Sequence, residues 1–516
     1  MSVGEGMIRH IPENLLVDYC LIVSPGWVHV FLLGFQHFLV VLWTSVIIAA
    51  AIVPHMGGGI AERALVIQTL LFVSGLNTLL QTFFGTRLST VIGGSFRFII
   101  PSLYIAFARR YVDYVDPKQK FIETMRAIQG ALLIASALPI LLGFLGIWRI
   151  VARFLSPLSA VPLVTLVGLG LYEYAFPLAA ECVEIGLPEI IILYAPEIRR
   201  LNLPDFLRYA VLLSVALVWA FASLLTVTGV YKNKSVKTQL SCRVDRSGLI
   251  SASEWFRFPY PFQWGRPEVH AGEVLVTLAA VFVTMIESSG AFIAAFRYAG
   301  GEPLPPSVLG RGIGWLGIGF FLDGMFGTGV GSTAAVENVG LLGITRVGSR
   351  RVVQISAAYM LFFSLIGKFA AVFASIPLPI IGAVYCILFA VVSFAGIGMS
   401  QYCDLNSWRT NFVVGFSFFM GLSVPRYFAD YAILSGHGPV DTHSQWFNGV
   451  AMVIFSSPAA VAAVVAVFLD VTTGRSGGED GGRKWWSKYE RFDGSGETNA
   501  KFYALPWGLS KYFPSH

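Results

Sequence analysis

Residues 324–346 read GMFGTGVGSTAAVENVGLLGITR, an apolar segment that glycine interrupts repeatedly and that also contains Glu337. The interrupting glycines are Gly324, Gly327, Gly329, Gly331, Gly340 and Gly343. A similar break, Gly93-Gly94-Ser95, divides the apolar run 88–107. Backbone that leaves a helix at membrane depth has to line a cavity or a ligand, although small residues also allow close helix packing. The glycines by themselves leave both interpretations open.

The whole chain has the composition of a protein that lies in lipid. Of its 516 residues, 55% are hydrophobic and only 13% are charged, whereas soluble chains carry about 25% charged residues. The 5 cysteines lack metal-ligand spacing, and no basic stripe with interleaved aromatics indicates a nucleic-acid partner. We therefore expect an all-α polytopic membrane protein in the lipid bilayer, without a metal or any other cofactor.

Apolar runs predict 14 membrane spans in two sets of seven. A first repeat, 27–230, and a second repeat, 274–470, are separated by an extracellular loop, 231–273, and flanked by cytoplasmic segments 1–26 and 471–516. The predicted spans are 27–53, 64–84, 88–107, 127–147, 154–176, 182–195 and 207–230, then 274–296, 311–329, 331–345, 352–376, 378–400, 411–428 and 449–470. The glycine breaks fall in the third span of each set. Breaks at matching positions of two halves indicate a binding site near the bilayer midplane, so we favour the cavity.

The loop charges predict the orientation. Loops on the side of the two termini carry 12 Lys and Arg residues against 7 on the opposite side, when both tails and the long loop are left out. Two adjacent arginines, Arg199 and Arg200, contribute to the larger number. The positive-inside rule then places both termini in the cytoplasm, and we expect the plasma membrane.

Two carboxylates lie deep in predicted spans, Glu287 in the eighth and Glu337 in the broken tenth. A charge at mid-membrane is costly, so it faces a cavity or a partner and is functional by default. Burial favours the neutral form of a carboxyl group, so one of the pair could bind and release a proton while the other accepts ligand N–H groups. Structural capping of the broken helices is the alternative.

Two further groups are ambiguous from the sequence. Gln36-His37, midway along the first span, more often braces helices than binds a ligand. Lys368 either neutralises a carboxylate or extends to an interface. By contrast, the carboxylates near span ends are expected at the interface: Glu173, Glu184 and Glu189.

The stretch 337–346, ENVGLLGITR, fits the pattern Gln, Glu or Pro, then Asn, any residue, Gly, four more residues, Thr and a basic residue. This pattern resembles the signature of the nucleobase–ascorbate transporters. Four further motifs resemble the family in order: Gln36-His37, Gly94-Ser95-Phe96, Ile286-Glu287-Ser288-Ser289-Gly290 and Asn406-Ser407-Trp408-Arg409. Two others are similar to plant members: Phe262-Gln263-Trp264-Gly265 and Lys511-Tyr512-Phe513-Pro514. The resemblance covers essentially the whole chain.

The resemblance implies a fold of two inverted seven-span repeats. Spans one to four and eight to eleven would form a core domain, and spans five to seven and twelve to fourteen a gate domain through which two copies dimerise. The substrate would sit between short strands of spans three and ten.

The resemblance also implies residue roles. Glu337 would hydrogen-bond the ring of a base, Glu287 would be the second carboxylate contact and the proton-coupling group, and Phe96 would stack on the ring. Backbone near Ser95 and Val336 would add contacts, as would Asn338. The supporting positions are Gln36, His37, Asn338, Gly340, Thr345 and Arg346.

The first signature position bears on the substrate. Glutamate stands there in bacterial uracil carriers and plant members, which this chain resembles, whereas animal ascorbate carriers have proline. An acceptor-only carboxylate suits the N–H edge of uracil or xanthine and would repel anionic ascorbate. We therefore predict a nucleobase such as xanthine, urate or uracil, carried together with protons by alternating access.

Three residues depart from the family pattern and are candidates for selectivity. Arg97 follows Phe96 where relatives carry a small or neutral residue, and it could favour an anion, pair with Glu287 or Glu337, or block transport. Leu316 replaces an acidic or amide residue, which puts proton coupling through that position in doubt. Ala291 leaves room for a bicyclic purine but removes a polar contact.

Rival functions remain at this stage. One alternative is an anion transporter or channel of the same architecture, which would favour a cationic site; Arg97 supports this alternative. The other is a transport-inactive binding or regulatory homologue. An enzyme is not expected, because no His-Glu-x-x-His motif occurs and Asp323 has no clear second membrane aspartate.

Two features of the outer side remain. We expect the sequon at Asn233 to be unused, because it lies close to the seventh span. Cys182 and Cys242 either form a disulfide or are free thiols, and we favour free thiols.

Overall fold

The computed structural model of the chain describes residues 19, 21, 23–198, 208–245, 248–300, 304–473 and 503–508. It is mostly helical, with one two-stranded sheet. Arg199, Arg200, the motif Lys511-Tyr512-Phe513-Pro514 and most of both predicted cytoplasmic segments lie outside the described residues.

The first half of the chain contains one strand and the following helices. They are α1 (Trp27–Ile52), α2 (Ile60–Phe83), β1 (Ile92–Gly94), α3 (Ile99–Ala106), α4 (Arg109–Val112), α5 (Pro117–Ala135), α6 (Ala137–Phe144), α7 (Ile147–Ala152), α8 (Pro157–Leu169), α9 (Phe176–Ala180), α10 (Val183–Ile198), α11 (Ala210–Val227), α12 (Val236–Cys242) and α13 (Leu249–Ala252).

The second half likewise contains one strand. Its elements are α14 (Ala271–Tyr298), α15 (Pro306–Phe326), β2 (Ser332–Ala334), α16 (Val336–Thr345), α17 (Arg350–Leu365), α18 (Gly367–Ala374), α19 (Leu378–Gly398), α20 (Trp408–Ser435), α21 (Gln445–Phe455) and α22 (Pro458–Thr472). The expectation of short strands in the third and tenth predicted spans is confirmed. In the second half the helix ends at Phe326 because Gly327 takes a left-handed conformation, φ +70°, which satisfies the last turn.

The helices are those of an integral membrane protein. Within the described ranges, eight helices are long and apolar enough to cross a membrane, or ten if each of two bent pairs counts as one span. Large apolar side chains also face outward on these helices, among them Leu217 and Leu224 on α11 and Phe419 on α20, which are 58%, 59% and 64% exposed. Such continuous apolar surface suits lipid rather than water.

Two predicted spans are broken where the sequence analysis treated them as continuous. The run 352–376 divides into α17 and α18 with a bend of 109°, and the run 449–470 divides into α21 and α22 with a bend of 80°. The second break precedes Pro458, which lacks a backbone N–H and disfavours helical geometry at the residue before it. Ser457 caps the new helix by accepting a hydrogen bond from the N–H of Ala460 at 3.2 Å.

The two halves of the chain pack into each other. Helix α17 lies on α1 and α2, α19 lies on α8 and α10, and α15 lies on α5 and α6. One large buried apolar cluster runs through these interfaces. The two predicted repeats are therefore interleaved in space.

The long loop between the two halves is anchored near both of its ends. Cys182, at the start of α10, and Cys242, at the end of α12, form a disulfide, so the expectation of free thiols is wrong. Further along, Gln263 donates to the carbonyl oxygen of Phe326 at 2.6 Å, and Trp264 donates to that of Gly327 at 2.9 Å. The motif at 262–265 thus docks the loop on the end of α15.

Candidate functional site

The two short strands pair antiparallel and bring the two broken segments together. Gly93 lies opposite Thr333 in the register. One further hydrogen bond extends the ladder at each end, from the N–H of Ser95 to Gly331 and from the N–H of Ala335 to Val91, both at 2.9 Å. Each strand leads into a helix, α3 through a short 3₁₀ turn at Phe96–Phe98 and α16 directly. We call the pair of strands β1 and β2 the strand frame. Phe96 lies just after β1 and Glu337 just after β2, so both candidate residues are positioned by this frame.

Helix α2 holds this frame from one side. The hydroxyl of Thr78 accepts a hydrogen bond from the N–H of Ile92 at 2.9 Å, and the amide of Asn77 donates to the hydroxyl of Ser332 at the same distance. These bonds give the N–H of Ile92 and the hydroxyl of Ser332 a partner inside the protein. Buried polar groups need such partners because they are shielded from water. The strands are consequently fixed to a long helix of the first half.

Helix α14 holds the frame from the other side. Ser288 hydrogen-bonds through its hydroxyl to that of Thr333 at 3.0 Å and accepts the N–H of Ala334 at 3.3 Å. Glu287 immediately precedes Ser288, so its backbone position is set by the strand contact.

Glu287 forms a buried ion pair with Arg97. The guanidinium Nε of Arg97 lies 2.6 Å from Oε1 of Glu287, and the two side chains are 12% and 9% exposed. The same carboxylate oxygen accepts the hydroxyl of Ser457 at 2.5 Å. Of the partners considered for Arg97, the structure thus selects Glu287. Breaking such a buried pair on one side only typically costs about 3–5 kcal/mol, because a charge is left behind.

The ion pair reaches the broken helix pair α21–α22. Nη1 of Arg97 lies 3.5 Å from the carbonyl oxygen of Ser456, and Ser457 binds Glu287 as described above. Nη2 of Arg97 is buried and has no hydrogen-bond partner among the described residues. A buried donor without an acceptor costs about 1–3 kcal/mol. Sequence reasoning missed Ser457, although Ser-Ser-Pro at 456–458 is a polar interruption in an apolar run.

Glu337 belongs to a second, separate network. Its Oε1 accepts the hydroxyl of Thr44 on α1 at 2.5 Å, and that hydroxyl lies 2.7 Å from the phenol oxygen of Tyr385 on α19. The Tyr385 phenol in turn donates to the carbonyl oxygen of Val40 at 3.0 Å. Glu337 is 2% exposed. Thr44 and Tyr385 were not identified from the sequence, because a lone Thr or Tyr inside an apolar helix carries no local signal.

The ring of Phe96 is covered by another aromatic ring. Phe96 stacks on Tyr174 with a centroid separation of 4.2 Å and an interplanar angle of 17°. Tyr174 ends the 3₁₀ turn Tyr172–Tyr174 that links α8 and α9. Phe96 directly precedes Arg97, the cationic member of the ion pair, in the chain. The aromatic face and the ion pair are therefore neighbours.

The pair Gln36-His37 connects helices. The amide of Asn338 lies 3.0 Å from Nδ1 of His37 and donates to the His37 carbonyl oxygen at 3.0 Å. Gln36 accepts the N–H of Leu212 at 3.3 Å and donates to the carbonyl oxygen of Arg208 at 3.4 Å. Asn338 thus ties α16 to α1, and Gln36 ties α1 to the start of α11.

The remaining signature residues serve the backbone of α16. Val336 begins the helix and is 6% exposed. At Gly340 a Cβ atom would lie 2.2 Å from the carbonyl oxygen of Leu388, so only glycine permits this approach of α16 to α19. Thr345 donates to the carbonyl oxygen of Leu341 at 2.8 Å, and Arg346 ends the helix in a left-handed conformation, φ 55°.

The last predicted positions are placed as follows. Ser95 caps the turn after β1 by accepting the N–H of Arg97 at 3.3 Å. Ala291 and Leu316 are buried apolar residues of α14 and α15. Lys368 donates to the carbonyl oxygen of Ile250 at 2.5 Å.

One expectation about the interfacial carboxylates is wrong. Glu173 and Glu184 are exposed, as expected, but Glu189 is fully buried. Helix α10 packs on α11 and α19 and turns this side chain inward.

Comparison with known proteins finds matches along nearly the whole chain. The model of the Permease family matches residues 28–429. Nucleobase-ascorbate transporter 7 of Arabidopsis thaliana is 55% identical over 99% of this chain and 97% of its own length. Nucleobase-ascorbate transporter LPE1 of Zea mays is 52% identical over 99% of both chains. The relatives are named as transporters, not as enzymes.

A solved structure is similar at a lower level. The inward-facing murine Solute Carrier 26 family member A9 anion transporter has 16% identity and a TM-score of 0.45, over 91% of this chain and 72% of that chain. This score is too low to carry an argument.

Proposed function

Because the chain belongs to the Permease family and, within it, to the nucleobase–ascorbate transporters, we propose that it carries a nucleobase such as xanthine, urate or uracil across the membrane. The observation that carries this proposal is the paired strand frame of β1 and β2, from which Phe96 and Glu337 both start and to which Glu287 is tied through Ser288. A flat heterocycle has a π-face and N–H donors. An aromatic ring and carboxylates complement both features.

We assign the residue roles as follows. Phe96 stacks on the base, with Tyr174 moving aside, and Glu337 anchors ring N–H groups in exchange for its bond from Thr44. Backbone near Ser95 and Val336 adds contacts. Asn338 positions α16 through His37, and it lies at the edge of the same frame. Gln36, Gly340, Thr345 and Arg346 support the geometry.

Transport would be secondary active, with Glu287 as the proton-coupling group. Arg97 holds this carboxylate in the present arrangement. The guanidinium therefore has to leave the Glu287 carboxylate before that carboxylate can bind and carry a proton. Ser457 belongs to the broken pair α21–α22, so movement of that pair relative to α14 would break or form the Glu287 contacts. Such a link suits alternating access, in which one bundle moves against another around a fixed site.

The larger architecture follows the same proposal. We propose 14 spans in two inverted seven-span repeats, 27–230 and 274–470, joined by an extracellular loop at 231–273. Cytoplasmic segments would lie at 1–26 and 471–516, with both termini in the cytoplasm. The helices would divide into a core and a gate, two copies would form a homodimer through the gate, and the plasma membrane would be the site of action.

An anion transporter or channel of the same architecture is the alternative. Arg97 favours it, but the Arg97 charge is balanced by Glu287 in this structure. A transport-inactive homologue would bind a base without moving it.

Uptake of radiolabelled xanthine and uracil in cells without nucleobase carriers of their own tests the proposal. We expect saturable uptake that rises at acidic pH and is competed by urate. Glu287→Ala and Glu337→Ala should each abolish uptake while retaining surface expression, whereas the exposed Glu173→Ala should not. Normal uptake in either of the first two variants would refute the site assignment, and substrate-independent current would favour the anion channel.

A further inference from the structure

Among the described residues, the guanidinium of Arg97 binds protein groups mainly through its Nε atom. Nε is held by Glu287 at 2.6 Å, while Nη1 has one contact at the 3.5 Å limit, to Ser456, and Nη2 has none among the described residues. The terminal edge, formed by Nη1 and Nη2, therefore carries parallel N–H donors that are almost unused. A buried donor without a partner indicates an acceptor that arrives from elsewhere.

This edge is fixed in place and lies beside the ring-stacking position. The carboxylate of Glu287 that binds Arg97 Nε also accepts the hydroxyl of Ser457 at 2.5 Å. This second bond restrains the position of Glu287 and, through it, that of Arg97. Phe96 precedes Arg97 in the chain, and the ring of Tyr174 covers that of Phe96 with a centroid separation of 4.2 Å. A planar ligand that replaced Tyr174 on Phe96 would therefore stack on the residue next to Arg97 in the chain.

We propose that Arg97 determines specificity by binding the O6 and N7 atoms of a 6-oxopurine with its terminal edge. This inference rests on the proposed function and narrows its substrate class. Arginine pairs with two adjacent acceptors in this bidentate way, and the O6 and N7 pair of guanine is the usual partner in nucleic acids. The ligand tautomer is the one that leaves N7 unprotonated, which hypoxanthine and xanthine can adopt; urate carries a proton on N7 and offers only O6.

Aminopurines do not fit the same edge. Adenine has N7 as an acceptor but an amino group at position 6, so one N–H group of Arg97 would face another donor. Uracil has a carbonyl oxygen without an adjacent ring acceptor, so it can accept only one of the two bonds. A good bidentate pair discriminates by about 10- to 100-fold against the wrong edge. The selected class is therefore 6-oxopurines over adenine, with uracil weaker.

Competition with a matched pair of ligands tests this proposal on the wild-type protein. Hypoxanthine and adenine differ at the edge in question, so both are used as unlabelled competitors of labelled xanthine uptake. We expect hypoxanthine to compete about 10- to 100-fold better than adenine. Equal competition by the two bases would overturn the assignment of Arg97 while leaving the proposed function intact. No uptake of any base would instead refute the proposed function.

Two variants locate the discrimination at Arg97. Arg97→Lys keeps a positive charge for Glu287 but lacks the two-donor edge, so we expect the hypoxanthine preference to fall towards equality with surface expression retained. Arg109→Ser is the control: it removes an exposed arginine at the start of α4, and this variant should keep the full preference for hypoxanthine over adenine. A preserved preference in Arg97→Lys would contradict the proposal, and if that variant fails to reach the surface, the wild-type competition still decides.

Discussion

The rings of Phe96 and Tyr174 stack face to face, with their centroids 4.2 Å apart. Tyr174 thus occupies the face of Phe96 on which a nucleobase is proposed to stack. The bound base and Tyr174 compete for one surface, so the stacking energy of the protein pair opposes binding.

Removal of this competitor should strengthen binding. Aromatic pairs contribute about 0.5–1.5 kcal/mol beyond area burial, so Tyr174→Ala should lower the apparent KM for xanthine by roughly 2- to 10-fold. Tyr174→Phe retains a ring and should leave KM close to wild type. Initial-rate uptake measurements check both variants, and an unchanged KM in Tyr174→Ala would contradict the competition.

The Arg97–Glu287 pair should show strong coupling in stability. Glu287→Gln leaves the buried Arg97 charge without its partner, so we expect a loss of roughly 3–5 kcal/mol in the free energy of unfolding. The double variant Arg97→Gln/Glu287→Gln removes both charges and should recover most of that loss. The wild type, the single variants Glu287→Gln and Arg97→Gln, and the double variant form a double-mutant cycle. Their melting temperatures are measured on detergent-solubilised protein that is heated and then analysed by fluorescence-detection size exclusion. Additive shifts would mean that the two charges do not interact.

Gly340 should not tolerate even one added methyl group. Its Cβ atom would lie 2.2 Å from the carbonyl oxygen of Leu388, and a rigid helix backbone cannot move aside without separating α16 from α19. We expect Gly340→Ala to lose folded protein and uptake together. Gly415 lies in α20 with no atom within 4 Å of an added Cβ, so Gly415→Ala is the matched control and should behave as wild type. Wild-type surface expression and uptake in Gly340→Ala would refute the close approach.

The disulfide between Cys182 and Cys242 should be detectable and stabilising. It joins residues 60 positions apart, and loss of a native disulfide typically costs about 2–5 kcal/mol. A non-reducing gel should show a mobility shift on reduction that is absent in Cys242→Ser, which should also melt at a lower temperature. Cys386→Ser changes a thiol that is not in a disulfide and should keep the shift. If wild type and Cys242→Ser migrate identically under both conditions, the bond does not form.

Several elements could be predicted from the sequence with small errors. The first predicted span, 27–53, corresponds to α1 at Trp27–Ile52, and the predicted span 378–400 corresponds to α19 at Leu378–Gly398. Both positions follow from local apolar runs bounded by glycine, proline or polar residues. The two strands were expected from the family resemblance, and they lie at or beside the glycine breaks, Gly93-Gly94 and 327–331, that the sequence shows.

Other features were not predictable with the same arguments. The bend before Pro458 was missed because apolar residues continue on both sides of it. Glu189 was placed at an interface because it lies near a span end, but the packing of α10 on α11 and α19 buries it. For Glu189 the neighbours that decide the outcome come from distant parts of the chain.

By itself, the sequence determined the membrane class, the positions of most helices, the two glycine breaks and the family, because these depend on composition and on short motifs. Only the tertiary structure decided that Arg97 pairs with Glu287 rather than Glu337, that Tyr174 covers Phe96, and that Ser457 and Thr44 hold the two carboxylates. Arg97 and Glu287 are 190 residues apart in the chain, and no local pattern relates them. Their contact exists because the β1–β2 frame and the packing of α14 against it bring the two residues together, and such packing depends on the whole fold.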